Sequence, residues 1–220
     1  MTVVLRYIVY ALVVAGLTAC ATSVPNPNLG RYKEELVQWH DSGEYERAFA
    51  ASSAPAAAYL RQRIAHRKPG EKIAIVFDID ETLLSNWGYL RHRNFGITTP
   101  SFAEWVAEND DPALPATRDI YEEARRAGLP IFLITGRGEI LRTHTIRQLK
   151  AAGYAEWEYL YMQPRNYADA SIIPFKSGAR REIEARGYTI TLNMGDQWSD
   201  LKGGYAEKPV KLPNPYYYIR

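Results

Sequence analysis

The sequence predicts an α/β fold built on a parallel sheet, and three observations carry that prediction. Apolar, β-rich runs recur at residues 72–77, 130–134, 158–162 and 188–194. The first of them, Lys72-Ile73-Ala74-Ile75-Val76-Phe77, is continuous rather than alternating, as expected of a strand buried on both faces. Each of the last three follows a helix-like stretch closed by a glycine, at Gly128, Gly153 and Gly187. Glycine just past a helix end adopts positive φ without a Cβ clash. Strands alternating with capped helices need crossover connections, and these give parallel pairing.

At 220 residues the chain suits one core domain with additions, and its 46% hydrophobic and 24% charged residues are ordinary for a globular protein. The net charge of +2, from 27 basic and 25 acidic residues, carries no nucleic-acid footprint. His40, His66, His92 and His144 are too scattered to form a metal site.

At the start, Arg6 precedes an apolar run over residues 7–17 that ends in Leu17-Thr18-Ala19-Cys20. The run is too short to span a bilayer and reads as a signal peptide over 1–19. Leu-Thr-Ala-Cys resembles the lipobox of bacterial lipoproteins, and Cys20 is the only cysteine. The resemblance implies a lipid on Cys20 and a place in the bacterial cell envelope, at the outer membrane. Residues 20–30, with Pro25 and Pro27, read as a tether. Residues 31–70 read as a helical segment from the spacings of Leu36 and Trp39, Tyr45 and Phe49, and Tyr59, Leu60 and Ile64. Pro69-Gly70 closes it, and the core is expected over 71–220. Between about 85 and 115 the strand–helix alternation breaks in a segment holding Trp87, Tyr89, Phe95, Phe102 and Trp105. It is too long for an ordinary loop. It is expected to be a small inserted cap whose rings stack on flat leaving groups; the alternative is that they only pack the cap's own core. Residues 209–211 add a short edge strand before the Tyr-rich C-terminus.

Polar clusters sit at the strand ends, where open α/β sheets place their ligands. Asp78-Ile79-Asp80-Glu81-Thr82 follows the first strand and Thr135-Gly136-Arg137 the second. Lys176 opens the helix before the fourth, and Gly195-Asp196-Gln197-Trp198-Ser199-Asp200 follows it. Asp78, Asp80 and Asp196 concentrate negative charge that calls for a hard cation such as Mg²⁺. Lys176, the Thr135 hydroxyl and the backbone N–H groups near Gly136 suit phosphate oxygens. Asp78 is placed to attack phosphorus, and Asp80 to protonate the leaving oxygen and later activate water.

These motifs resemble the haloacid-dehalogenase superfamily, and more narrowly its acid phosphatase branch (subfamily IIIB), which includes bacterial lipoprotein phosphatases and plant vegetative storage proteins. Asp78-Ile79-Asp80-Glu81-Thr82-Leu83-Leu84 is similar to the first motif. Thr135-Gly136-Arg137, Lys176-Ser177, the segment from Gly195 to Leu201 and the ending Lys211-Leu212-Pro213-Asn214-Pro215-Tyr216-Tyr217 are similar to the branch. The likeness covers residues 73–220. It implies a Rossmann-like core with the first strand central and Mg²⁺ held by Asp78, the Asp80 carbonyl and Asp196, with Asp200 orienting the metal's waters. The implied activity is hydrolysis of small phosphomonoesters, nucleotides or aryl phosphates, through an aspartyl-phosphate on Asp78. The alternatives are phosphotransfer at the same site and a non-catalytic storage or binding lipoprotein.

Overall fold

Five parallel strands stand in the order β3-β2-β1-β4-β5. They are β1 (Ile73–Phe77), β2 (Ile131–Gly138), β3 (Tyr159–Gln163), β4 (Thr189–Gly195) and β5 (Lys208–Lys211). The computed structural model describes residues 27–219. The expected signal peptide, Cys20 and most of the tether lie outside the described residues. The chain divides into two units, Met1–Tyr32 and Lys33–Arg220. Of the first, only residues 27–32 are described, in and just before the opening turn of α1 (Leu29–Asp41). The sheet and the helices packed on it belong to the second unit.

β1 is central and every one of its side chains is buried. Ile73, Ile75 and Phe77 enter one apolar layer, while Ala74 and Val76 enter the other. Burying a side chain of this size fully contributes about 1.5–3 kcal/mol, so the unbroken apolar run follows from having helices on both faces. The larger layer holds Tyr45, Phe49 and Leu60 of α2 (Glu44–Ala65).

Between β1 and the next core helix, the insertion carries α3 (Trp87–His92) and α4 (Thr99–Glu108). The large layer is completed by Ile120, Tyr121 and Ala124 of α5 (Pro115–Arg126) and Leu149 of α6 (Arg142–Ala151). The opposite layer is closed by Ala179 and Ile183 of α7 (Ile173–Ala185). A single turn, α8 (Trp198–Leu201), follows β4. Gly128, Gly153 and Gly187 sit after α5, α6 and α7 with φ of 66°, 88° and 88°, the left-handed region that glycine tolerates.

The tether ends earlier than expected, since α1 begins at Leu29, and the end of β2 differs from the sequence reading by four residues. β2 runs through Thr135-Gly136-Arg137 to Gly138, with an irregular register against β3 between Thr135 and Gly138. The polar triplet therefore lies inside the strand end rather than after it, because the backbone keeps pairing past the apolar run.

The insertion is pinned to the core at its two ends and along α6, where Arg147 donates to the carbonyls of Val106, Ala107 and Asn109. Ser85 donates its N–H to the Pro112 carbonyl and Leu114 to that of Leu83, both at 2.9 Å. Its interior is packed by its own rings. Tyr89 is 1% exposed and meets Phe102 edge-on at 5.2 Å and Trp105 at 5.9 Å. Trp87 lies flat against His40 at 3.7 Å. The expectation that these rings stack on a substrate is corrected for Tyr89: its ring fills the insertion's own core, and its hydroxyl is hydrogen-bonded to Ser101 at 2.8 Å.

Candidate active site

Parallel register brings the polar residues to one edge. Phe77 stands level with Leu133 in β2 and Met194 in β4. Asp78, Thr135 and Asp196 therefore emerge together at the carboxyl end of the sheet, beside the central strand. Asp78 is anchored by its N–H, which donates to the Met194 carbonyl at 2.9 Å.

Lys176, in the first turn of α7, is buried and its ammonium donates to Asp78 Oδ1 at 2.7 Å and to Asp200 Oδ1. Asp78, Asp196 and Asp200 offer carboxylate oxygens that all lie within 4.8 Å of one another. Burial lowers the Lys176 pKa, but Asp200 and Asp78 outweigh that and hold the ammonium charged well above the usual lysine range. Burial pushes Asp78 well up; Lys176 opposes this, and Asp200, Asp196 and Asp80 add to it. Asp196 is pushed up to about 7 by burial and by Asp200, against hydrogen bonds from Asn214 and Gln197. One ammonium thus faces three crowded carboxylates, and the cluster is short of positive charge.

The donor set fits a hard divalent cation. Both oxygens of Asp200 are taken: Oδ1 by Lys176 and Oδ2 by the Gln197 N–H at 2.8 Å. Asp196 Oδ2 accepts from Gln197 Nε2 at 2.7 Å and Asn214 Nδ2 at 2.6 Å. Among the described residues, no donor reaches Asp196 Oδ1 or Asp78 Oδ2. Those two oxygens suit a cation. Asp200 leans over the chain at Gly195, where an added Cβ would stand 2.5 Å from Asp200 Oδ2. Only glycine leaves that room. Asp200's carbonyl is fixed by Asn193 Nδ2 at 3.0 Å and Arg180 Nη1 at 2.5 Å.

Asp80 stands in a turn closed on Ile79, whose carbonyl accepts the N–H groups of Thr82, Leu83 and Leu84. Arg137 grips Asp80 through Nη2 at 2.7 Å and Nε at 3.1 Å, and Asn86 Nδ2 donates at 3.0 Å. Burial raises the Asp80 pKa, yet Arg137 and Asn86 outweigh it and hold the carboxyl below its usual range. Arg137 is itself held by Gln148 Oε1 at 2.6 Å and packs over Phe102. Glu81, the next residue, has φ of 48° and is wholly buried. Its carboxylate accepts from the Tyr45 hydroxyl at 2.7 Å and the Asn86 N–H at 2.6 Å. Burial pushes it up to about 7 even so.

The model of the HAD superfamily, subfamily IIIB (acid phosphatase), matches residues 18–220. The chain belongs to that family. Acid phosphatase 1 of Solanum lycopersicum is 37% identical over 148 residues, covering 66% of this chain and 58% of that protein. The stem 28 kDa glycoprotein of Glycine max is 37% identical over 155 residues, covering 68% and 61%. Vegetative storage protein 1 of Arabidopsis thaliana is 34% identical over 148 residues, covering 66% and 54%. The chain thus spans a little over half the length of these curated relatives. The fold is similar to that of the class C acid phosphatase from Bacillus anthracis, with a TM-score of 0.70 and 23% identity over 85% of this chain and 86% of that one.

For this acid phosphatase family member, the structure brings Asp78, Asp196, Asp200 and Lys176 into direct contact or close reach, with Asp80 two residues along. Thr135 is fully buried, its hydroxyl accepting the Arg137 N–H at 3.1 Å, while Gly136 is exposed and an added Cβ there would meet nothing within 4 Å. The family match reaches further towards the N-terminus than residue 73, so α1 and α2 belong to the family pattern. Arg137, Asn86 and Asn214 hydrogen-bond to the site carboxylates and Glu81 holds Asn86, and the sequence reading gave these four no role. Arg137 stood in a quoted motif, but a pairing 57 residues away leaves no local signal. Among the described residues, no helix is long and apolar enough to cross a membrane.

Proposed function

We propose that this chain is a Mg²⁺-dependent acid phosphatase in which Asp78 takes the phosphoryl group of a phosphomonoester. The observation that carries the reading is the Asp78 carboxylate at the end of the central strand, held by Lys176 and clustered within 4.8 Å of Asp196 and Asp200. An oxygen of the Asp78 carboxylate attacks phosphorus, the phosphorus–ester oxygen bond breaks, and its electron pair leaves with the alcohol oxygen, which takes a proton from Asp80. Asp80, now a carboxylate, removes a proton from water as the water oxygen attacks phosphorus. The phosphorus–Asp78 bond then breaks, and inorganic phosphate and the Asp78 carboxylate are restored. Lys176, the Thr135 hydroxyl and the backbone N–H near Gly136 hold the non-bridging oxygens. Asp78, Asp196 and the Asp80 carbonyl would hold Mg²⁺, with Asp200 orienting its waters; the ion, when bound, offsets the charge of phosphate and carboxylates.

Acid chemistry follows from Arg137. Asp80 must carry a proton to serve as the acid, and Arg137 holds its pKa low, so the protonated fraction grows as pH falls. Vegetative storage and stem glycoproteins stand among the relatives; the intact Asp78–Lys176 pair favours turnover over storage here. Nucleoside monophosphates and aryl phosphates are the proposed substrates, and a lipid on Cys20 at a bacterial outer membrane the proposed anchor. The test is hydrolysis of 4-nitrophenyl phosphate by the chelator-stripped protein, with and without added Mg²⁺, beside Asp78→Asn. Activity that returns with Mg²⁺ and is absent from a folded Asp78→Asn protein supports the reading; metal-indifferent activity or an active variant contradicts it.

A further inference from the structure

Tyr45 sits in the first turn of α2, 36 residues before Glu81, yet its hydroxyl reaches the loop that carries Asp80. The bond to Glu81 Oε2 is 2.7 Å long, and Tyr45 and Glu81 are 2% and 0% exposed. The phenol has little freedom to point elsewhere. Trp39, Phe49 and Tyr216 surround its ring at centroid distances of 5.6, 5.7 and 5.4 Å. Glu81 spends its second oxygen on the N–H of Asn86 at 2.6 Å. Asn86 in turn aims its side-chain amide at Asp80 Oδ1, at 3.0 Å. A continuous chain of hydrogen-bonded residues therefore runs from α2 through Glu81 and Asn86 to the carboxylate of Asp80.

Glu81 also holds its backbone at φ 48°, a conformation that non-glycine residues adopt at a cost and keep only when their surroundings impose it. A buried carboxylate with one donor on each oxygen is such a surrounding. Removing one donor leaves an unpaired buried oxygen, and the loop then gains by turning that oxygen towards water.

We propose that Tyr45 is a positioning residue that fixes Asp80 through Glu81 and Asn86. The inference rests on the phosphatase reading above, with Asp80 as the proton donor. Loss of the Tyr45 hydroxyl then harms proton delivery more than phosphate binding. Esters whose alcohol leaves poorly need that proton most, whereas 4-nitrophenolate leaves well without it.

The experiment measures kcat and KM of wild type, Tyr45→Phe and Asp80→Asn on 4-nitrophenyl phosphate and on alkyl phosphates of rising alcohol pKa, with inhibition by inorganic phosphate as a binding readout. Tyr45→Phe should lose on the order of tenfold in kcat on alkyl esters and less than about threefold on 4-nitrophenyl phosphate, with phosphate inhibition unchanged. Asp80→Asn should show the same slope, steeper. An equal loss on every ester, or no loss, in a folded Tyr45→Phe protein overturns the inference alone. A wild type inactive on all esters, or an Asp80→Asn loss independent of the leaving group, overturns the underlying reading and the inference with it. Should Tyr45→Phe fold poorly, Glu81→Gln interrupts the same chain, since an amide has one acceptor oxygen for two donors. The same selective loss supports the proposal, and a uniform loss overturns it.

Discussion

Arg137 decides the resting state of Asp80, because its guanidinium is the only cation within salt-bridge reach of that carboxylate among the described residues. Substituting Arg137→Gln keeps a hydrogen bond and removes the charge, so the Asp80 pKa should rise. A general acid with a higher pKa stays protonated to higher pH. The pH–kcat profile should therefore shift towards neutral; an unshifted profile would separate Arg137 from the acid step. Gly195→Ala makes a second test at this scale. Its Cβ meets Asp200 head-on, and groups that orient metal ligands typically matter 10–100-fold in metal affinity. Mg²⁺ titration of activity should show a loss of about that size, and an unchanged Mg²⁺ dependence would remove Asp200 from its orienting role.

Helix α2 is tied to the core by charge as well as by Tyr45. Arg63 donates to Glu71 through Nη2 at 2.5 Å and to Glu207 through Nε at 2.8 Å. Hydrogen bonds from Arg63 and from the Lys68 N–H hold Glu71 down to about 2, against an ordinary value of 4.5. A carboxyl depressed on folding contributes stability above its unfolded pKa and loses it as pH falls through the folded one. Glu71→Gln should therefore lower the urea midpoint at pH 6, with the deficit shrinking as pH falls below 4.5 towards 2. A deficit constant across that window would argue that the pair contributes packing alone. In the insertion, Tyr89→Ala should cost about 3–5 kcal/mol, as large-to-small aromatic changes in cores do. The ratio of aryl to alkyl kcat/KM should stay where it was; a changed ratio would return Tyr89 to the substrate.

At the scale of the whole molecule, the strands and their glycine caps were legible because burial on both faces leaves an unbroken apolar run. Asp78, Asp196 and Lys176 were legible because each stands just past a strand or opens a helix, where this architecture exposes side chains. The pairings among them were not. Tyr45–Glu81 and Lys176–Asp78 link residues 36 and 98 apart, and nothing local in the sequence records which partner a buried group finds. The aromatic segment misled for a related reason: composition places rings near the site, but only packing shows that Tyr89 turns inward. The central claim is that phosphorus becomes bonded to Asp78. Its most direct test mixes Asp80→Asn protein with excess 4-nitrophenyl phosphate and Mg²⁺, quenches in acid within the first turnover and maps peptides by mass spectrometry. The account predicts one added phosphoryl group on the peptide containing Asp78, decaying on a chase without substrate. Release of 4-nitrophenol with that peptide unmodified, or with the phosphoryl group on another residue, would contradict it.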